Sequence, residues 1–91
     1  LKVPHMGWNE IEIEKLNCPM LQGIKQKTNF YFCHSFFVEP SQKDIIATKT
    51  NYGRRFASSV WKDNLFAVQF HPEKSQEAGL TILKNFCAFN P

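Results

Sequence analysis

The chain has 91 residues, 11 Lys and Arg against 8 Asp and Glu for a formal charge of +3, and 43% hydrophobic residues with nine Phe. That suffices for one packed domain, or part of one, burying about 60–65% of its unfolded surface. The basic residues are scattered apart from Arg54-Arg55, which argues against the concentrated patch nucleic acid requires, and no apolar run nears the ~20 residues of a membrane span.

In chain order, Val3 to Asn9 contains the breakers Pro4 and Gly7 and reads as a loop carrying Met6 and Trp8. Residues 10–14, Glu-Ile-Glu-Ile-Glu, alternate strictly, which predicts a strand with Ile11 and Ile13 buried and the glutamates in water. Cys18-Pro19 ends that unit, and 19–24 predicts a short helical turn with Pro19 first. The aromatic stretch from Asn29 to Val38 suits a strand, and Glu39 to Gln42 a loop. Residues 44–62 read as a hairpin turning at Asn51-Tyr52-Gly53. After the turn Lys62-Asp63-Asn64, the apolar run 65–70 predicts a short buried strand. The period then changes. Gly79, Ile82, Leu83 and Phe86 fall on one face of a helix over about 76–89, with Ser75 at the N-cap position and Glu77 in the first turn. Short connections favour mostly antiparallel strands, closed by a C-terminal helix.

The three cysteines, Cys18, Cys33 and Cys87, are odd in number and irregular in spacing. That argues against a disulfide framework and favours a reducing, cytoplasmic setting. The N-terminus lacks the charged-then-apolar layout of a signal peptide, and a start at Leu1 suits a fragment or processed product. Each cysteine reads by default as a small buried hydrophobe, since none lies in a small-residue elbow that would expose a nucleophile. Trp61 and the phenylalanines read most simply as core.

Phe70-His71-Pro72-Glu73-Lys74-Ser75 carries the chemical signal, at the passage from strand to helix. Alternation along extended backbone brings residues 71 and 73 to one side. A carboxylate there can orient an imidazole that acts as a base, half of a nucleophilic triad. The bland reading is a polar surface turn. A metal site from His5, His34, His71 and Glu73 lacks a recognisable ligand spacing, and a Cys33–His71 dyad is a further alternative. Composition and spacing leave these alternatives open.

Val68-Gln69-Phe70-His71-Pro72-Glu73-Lys74-Ser75 resembles the C-terminal triad signature of class I (triad-type) glutamine amidotransferases. Tyr31-Phe32-Cys33-His34-Ser35-Phe36 resembles the strand that precedes it there. Val3-Pro4-His5-Met6-Gly7-Trp8-Asn9 is similar, within that family, to the glutaminase subunits of imidazole glycerol phosphate synthases. The resemblance covers essentially the whole chain and implies an α/β, three-layer fold. Residues 1–91 would form the C-terminal portion of a single amidotransferase domain, mostly antiparallel strands plus a C-terminal helix. It implies hydrolysis of glutamine to glutamate and ammonia through a glutamyl thioester, with His71 as base and Glu73 as its orienter. It further implies that the ammonia passes to a partner cyclase subunit, a (β/α)8 barrel, in histidine biosynthesis.

The resemblance also implies glutamine binding at the backbone of Ser35 and Phe36, although tyrosine is commoner at position 36. It implies a partner interface at Met6, Trp8, Asn9 and Lys74, with no cofactor, no metal, no nucleic acid and no membrane. Cys33 replaces a small aliphatic residue. The family's Gly-x-Cys-x-Gly elbow is absent from these residues, so the chain is expected to be inactive alone, with an apolar face open unless another chain covers it. Two alternatives accompany this reading: another triad amidotransferase, serving GMP, anthranilate or carbamoyl phosphate synthesis, or a non-catalytic cyclase-binding module.

Overall fold

Two isoleucines set the frame. In the computed structural model, which describes residues 5–34 and 40–89, strands β1 (His5–Glu10) and β2 (Glu12–Ile13) form one extended run broken at Ile11. Ile11 and Ile13 are buried while Glu10 and Glu14 are exposed, as the alternation predicts, and Glu12 between them is half-buried. At the break, Ile11 N–H donates to Thr28 O at 3.0 Å and Ile11 O accepts from Lys27 N–H at 3.0 Å, so the buried backbone stays paired.

The loop expected before Glu10 is a strand instead. β1 pairs antiparallel with β3 (Asn29–His34), from His5 opposite His34 to Glu10 opposite Asn29. Gly7 takes a φ of +123° within the strand. Its glycine freedom lets the ladder continue through a local break signal. The aromatic stretch is a strand over residues 29–34; the rest of that expectation lies outside the described residues.

A second sheet has the order β2, β4 (Ile46–Asn51), β5 (Arg55–Lys62), β6 (Leu65–Val68), all neighbours antiparallel. The hairpin predicted over 44–62 is β4 and β5, and it turns through Gly53 at φ +74°. Asp63, at φ +55°, makes the next turn, where Trp61 Nε1–H donates to Asp63 O at 2.9 Å. β6 is not the buried strand expected from its apolar run. Among the described residues it is the sheet's edge, beside β5, and Leu65 and Ala67 are exposed while Phe66 and Val68 are half-buried.

Pro19–Leu21 is a 3-10 turn with proline first, close to expectation. Helix α1 (Gln76–Ala88) packs on it, and Asn85 Nδ2–H donates to Met20 O at 3.0 Å and Gln22 O at 2.8 Å. Gly79 and Ile82 face inward, whereas Leu80, Leu83 and Phe86 form an exposed apolar stripe along the helix. The core joins Ile11, Met20, Phe30, Phe32, Phe56, Phe70 and Ile82. Cys18 is buried, but Cys33 and Cys87 are exposed, contrary to the default reading. Cys33 follows inward-facing Phe32 on β3 and so faces out.

Candidate functional site

Phe70 is buried and makes an antiparallel bridge to Phe32 of β3. The chain then turns sharply. Pro72–Lys74 is a 3-10 turn, whose first position suits the fixed φ of proline. Within it His71 Nδ1 lies 3.0 Å from Glu73 Oε2. The two side chains therefore meet through a turn, not through the extended alternation predicted.

An ionised carboxylate only accepts, so the proton of this bond sits on Nδ1. That leaves the Nε2 lone pair for proton transfer, and Nε2 has no hydrogen-bond partner among the described residues. The bond from His71, helped by Glu73's own backbone N–H, holds the Glu73 carboxyl below the usual carboxylate range. The side chains are 37% and 59% exposed, so the pair opens to solvent. The arrangement is a base with its orienter.

The turn is bolted to β3. His71 N–H donates to Tyr31 O at 2.8 Å. Ser75 Oγ–H donates to His71 O at 2.6 Å, and Ser75 Oγ accepts from Tyr31 N–H at 3.0 Å. Ser75 occupies the N-cap position of α1, but its hydroxyl makes no capping bond, because it is spent on these two partners. Gly79 was legible only as a helix-face position, yet it lets α1 approach the Pro72 carbonyl. A glycine inside an amphipathic helix is the signal that could have marked it.

Ser35 and Phe36 lie outside the described residues. Met6 and Trp8 are exposed on β1, and the Trp8 ring meets Tyr31 edge-on at 5.9 Å. A broad open depression of about 720 Å³, lined by Trp8, Asn29 and residues 75–78, joins Trp8 to the start of α1; His71 and Glu73 do not line it. Asn9 is half-buried and its amide donates to Asn51 O at 2.9 Å, tying β1 to the end of β4. Lys74 is exposed at the end of the 3-10 turn. His5 and His34 pair at 2.9 Å within an aromatic cluster, and among the described residues no three of His, Cys, Asp and Glu converge as a metal site.

Residues 1–89 match the family model described as "Glutamine amidotransferase class-I". Similar curated proteins carry the name imidazole glycerol phosphate synthase subunit HisH. The one from Acinetobacter baylyi is 54% identical over 90 residues, 99% of this chain and 44% of that protein. The Methanocaldococcus jannaschii protein is 55% identical over 85 residues, 93% of this chain and 42% of its own length. The Aromatoleum aromaticum protein is 53% identical over 91 residues, 100% of this chain and 42% of its own. The chain thus spans less than half the length of the relatives it matches.

Proposed function

The chain belongs to the class-I glutamine amidotransferase family, and on that footing we propose that it forms the C-terminal part of a glutaminase subunit of an imidazole glycerol phosphate synthase. The observation that carries the reading is the 3.0 Å contact between His71 Nδ1 and Glu73 Oε2, with Nε2 left for chemistry. A second reading, a non-catalytic cyclase-binding module, is favoured by the exposure of Met6 and Trp8 on β1. The names of the relatives favour histidine biosynthesis over the other triad amidotransferases.

In the proposed reaction a cysteine from the rest of the polypeptide is the nucleophile. His71 Nε2 takes the thiol proton as sulfur attacks the side-chain amide carbon of glutamine. The C–N bond then breaks, and the same proton leaves with ammonia. Water, deprotonated at Nε2, then adds to the thioester carbonyl; the C–S bond breaks, glutamate leaves, and the cysteine sulfur recovers the proton from the imidazole. Glu73 keeps the imidazole in the productive tautomer and stabilises its charged form. The backbone of Ser35 and Phe36, directly following β3, grips the glutamine. Met6, Trp8, Asn9 and Lys74 face a cyclase that receives the ammonia, and the bond from Asn9 to Asn51 O ties β1 to β4. Free cysteines support a cytoplasmic location.

The test is complementation. This chain is mixed with the N-terminal portion of a homologous subunit and the cyclase, and glutamate release is followed with and without His71→Ala. Release that needs His71 supports the glutaminase reading. Assembly of all three parts without release leaves the binding module.

A further inference from the structure

We propose that Ser75 is a positioning residue for glutamine hydrolysis: its buried hydroxyl, shared between His71 O and Tyr31 N–H, holds the His71 turn on β3 so that Nε2 faces the reacting atoms. The inference rests on the glutaminase reading above.

Three observations carry it. Ser75 is 2% exposed, and both bonds of its hydroxyl go to backbone groups, at 2.6 and 3.0 Å; His71 O accepts in addition from Lys74 N–H at 3.1 Å. One of those groups belongs to the base itself. The other lies 44 residues away, in the strand that leads into the glutamine-binding positions. Tyr31 is thereby engaged on both backbone atoms, its oxygen by His71 N–H and its N–H by Ser75. Base and strand become one rigid unit.

The third observation is that this arrangement sacrifices good local structure. A serine at an N-cap normally bonds the helix's first N–H groups. Here α1 has no side-chain cap, and its first residue, Gln76, sits at φ +54°, a conformation a non-glycine residue adopts at a cost. A local rule broken beside a reactive group marks a position chosen for function. Glu73 orients the ring of His71; Ser75 orients the backbone that carries it.

The experiment uses the full-length subunit with its cyclase, comparing Ser75→Ala, Ser75→Thr and Ser75→Cys with the parent. A displacement of about 1 Å at a reacting group costs on the order of 100-fold, so kcat for glutamine is expected to fall about 10- to 100-fold in Ser75→Ala. KM should stay within about threefold, because substrate grip is not touched. Ser75→Thr, which retains the hydroxyl, restores most of kcat. Ring ¹⁵N shifts of His71 provide a readout independent of turnover: one tautomer, protonated on Nδ1, in the parent, and a mixture in Ser75→Ala. If the alanine variant does not fold, Ser75→Cys, with a weakly bonding thiol of similar size, carries the same comparison. A folded variant with kcat within about twofold of the parent, a loss confined to KM, or no rescue by threonine would overturn the proposal. A parent enzyme that does not need His71 sinks the glutaminase reading instead, and the ring shifts still decide whether Ser75 sets the imidazole.

Discussion

Gly79 sits so close to Pro72 that a Cβ on residue 79 would overlap the Pro72 carbonyl oxygen and stand 2.7 Å from its carbon. Backbone, not a movable side chain, closes this gap. The first turns of α1 therefore rest directly on the turn that carries His71 and Glu73. Helix propensity alone favours alanine over glycine by up to about 1 kcal/mol. Tertiary packing reverses the sign here. In the full-length protein, Gly79→Ala is expected to lower stability by about 1–3 kcal/mol and to reduce glutaminase turnover. Urea unfolding alongside the activity assay measures both, and a variant as stable as the parent would contradict this packing.

Glu73 gives the turn an acid dependence. His71's hydrogen bond holds the carboxyl below its usual 4.5 in the folded protein. The unfolded chain then binds that proton more readily than the folded one. The contribution is complete above about pH 4.5 and disappears as pH falls through the depressed value. Glu73→Gln should therefore be less stable than the parent near neutrality and converge on it in acid. Urea midpoints taken across this range decide it; a constant gap between the two proteins would show that the carboxylate contributes nothing through its charge.

Two buried threonines on β4 should respond oppositely to the same substitution. Thr48 Oγ1 lies 2.8 Å from Ser58 Oγ and 2.6 Å from Ser59 Oγ, all three hydroxyls buried. Thr50 Oγ1 is buried with no hydrogen-bond partner among the described residues. Thr48→Val strands two hydroxyls and is expected to cost about 1–3 kcal/mol. Thr50→Val replaces an unsatisfied hydroxyl with a methyl and is expected to be neutral or stabilising by about 1 kcal/mol. Equal losses in denaturant would show that Thr50 has a partner after all.

His5 adds a second pH dependence, in the same direction but at higher pH. It is 4% exposed, stacked on Phe32 at 4.8 Å and Tyr52 at 3.9 Å, with Nδ1 2.9 Å from His34 Nε2. Burial first, and the neighbouring His34 second, lower its pKa from the usual 6.5. The folded state keeps the neutral ring while the unfolded chain takes the proton, so stability declines as pH falls below about 6.5. His5→Phe preserves the stacking and removes the titration. Its thermal midpoint should vary less between about pH 7 and 5 than the parent's. Parallel curves would assign the pH dependence elsewhere.

What the sequence determined by itself was whatever depends on near neighbours. Ile11 and Ile13 were legible as buried because their period is two residues, and the 44–62 hairpin because its turn and strands are contiguous. His71 and Glu73 were legible as a pair because they are two residues apart, although the turn that joins them was read as extended chain. Tertiary structure decided the rest. β1 is a strand because β3, more than twenty residues later, offers it an edge. β6 is half-exposed because, among the described residues, nothing packs over the face that carries Leu65 and Ala67. Ser75 gave up its helix for Tyr31 and His71, and Gly79 matters because Pro72 lies against it. A hydrophobic period says which side of an element turns inward. It does not say which distant backbone group waits there, and here those distant groups hold the base in place.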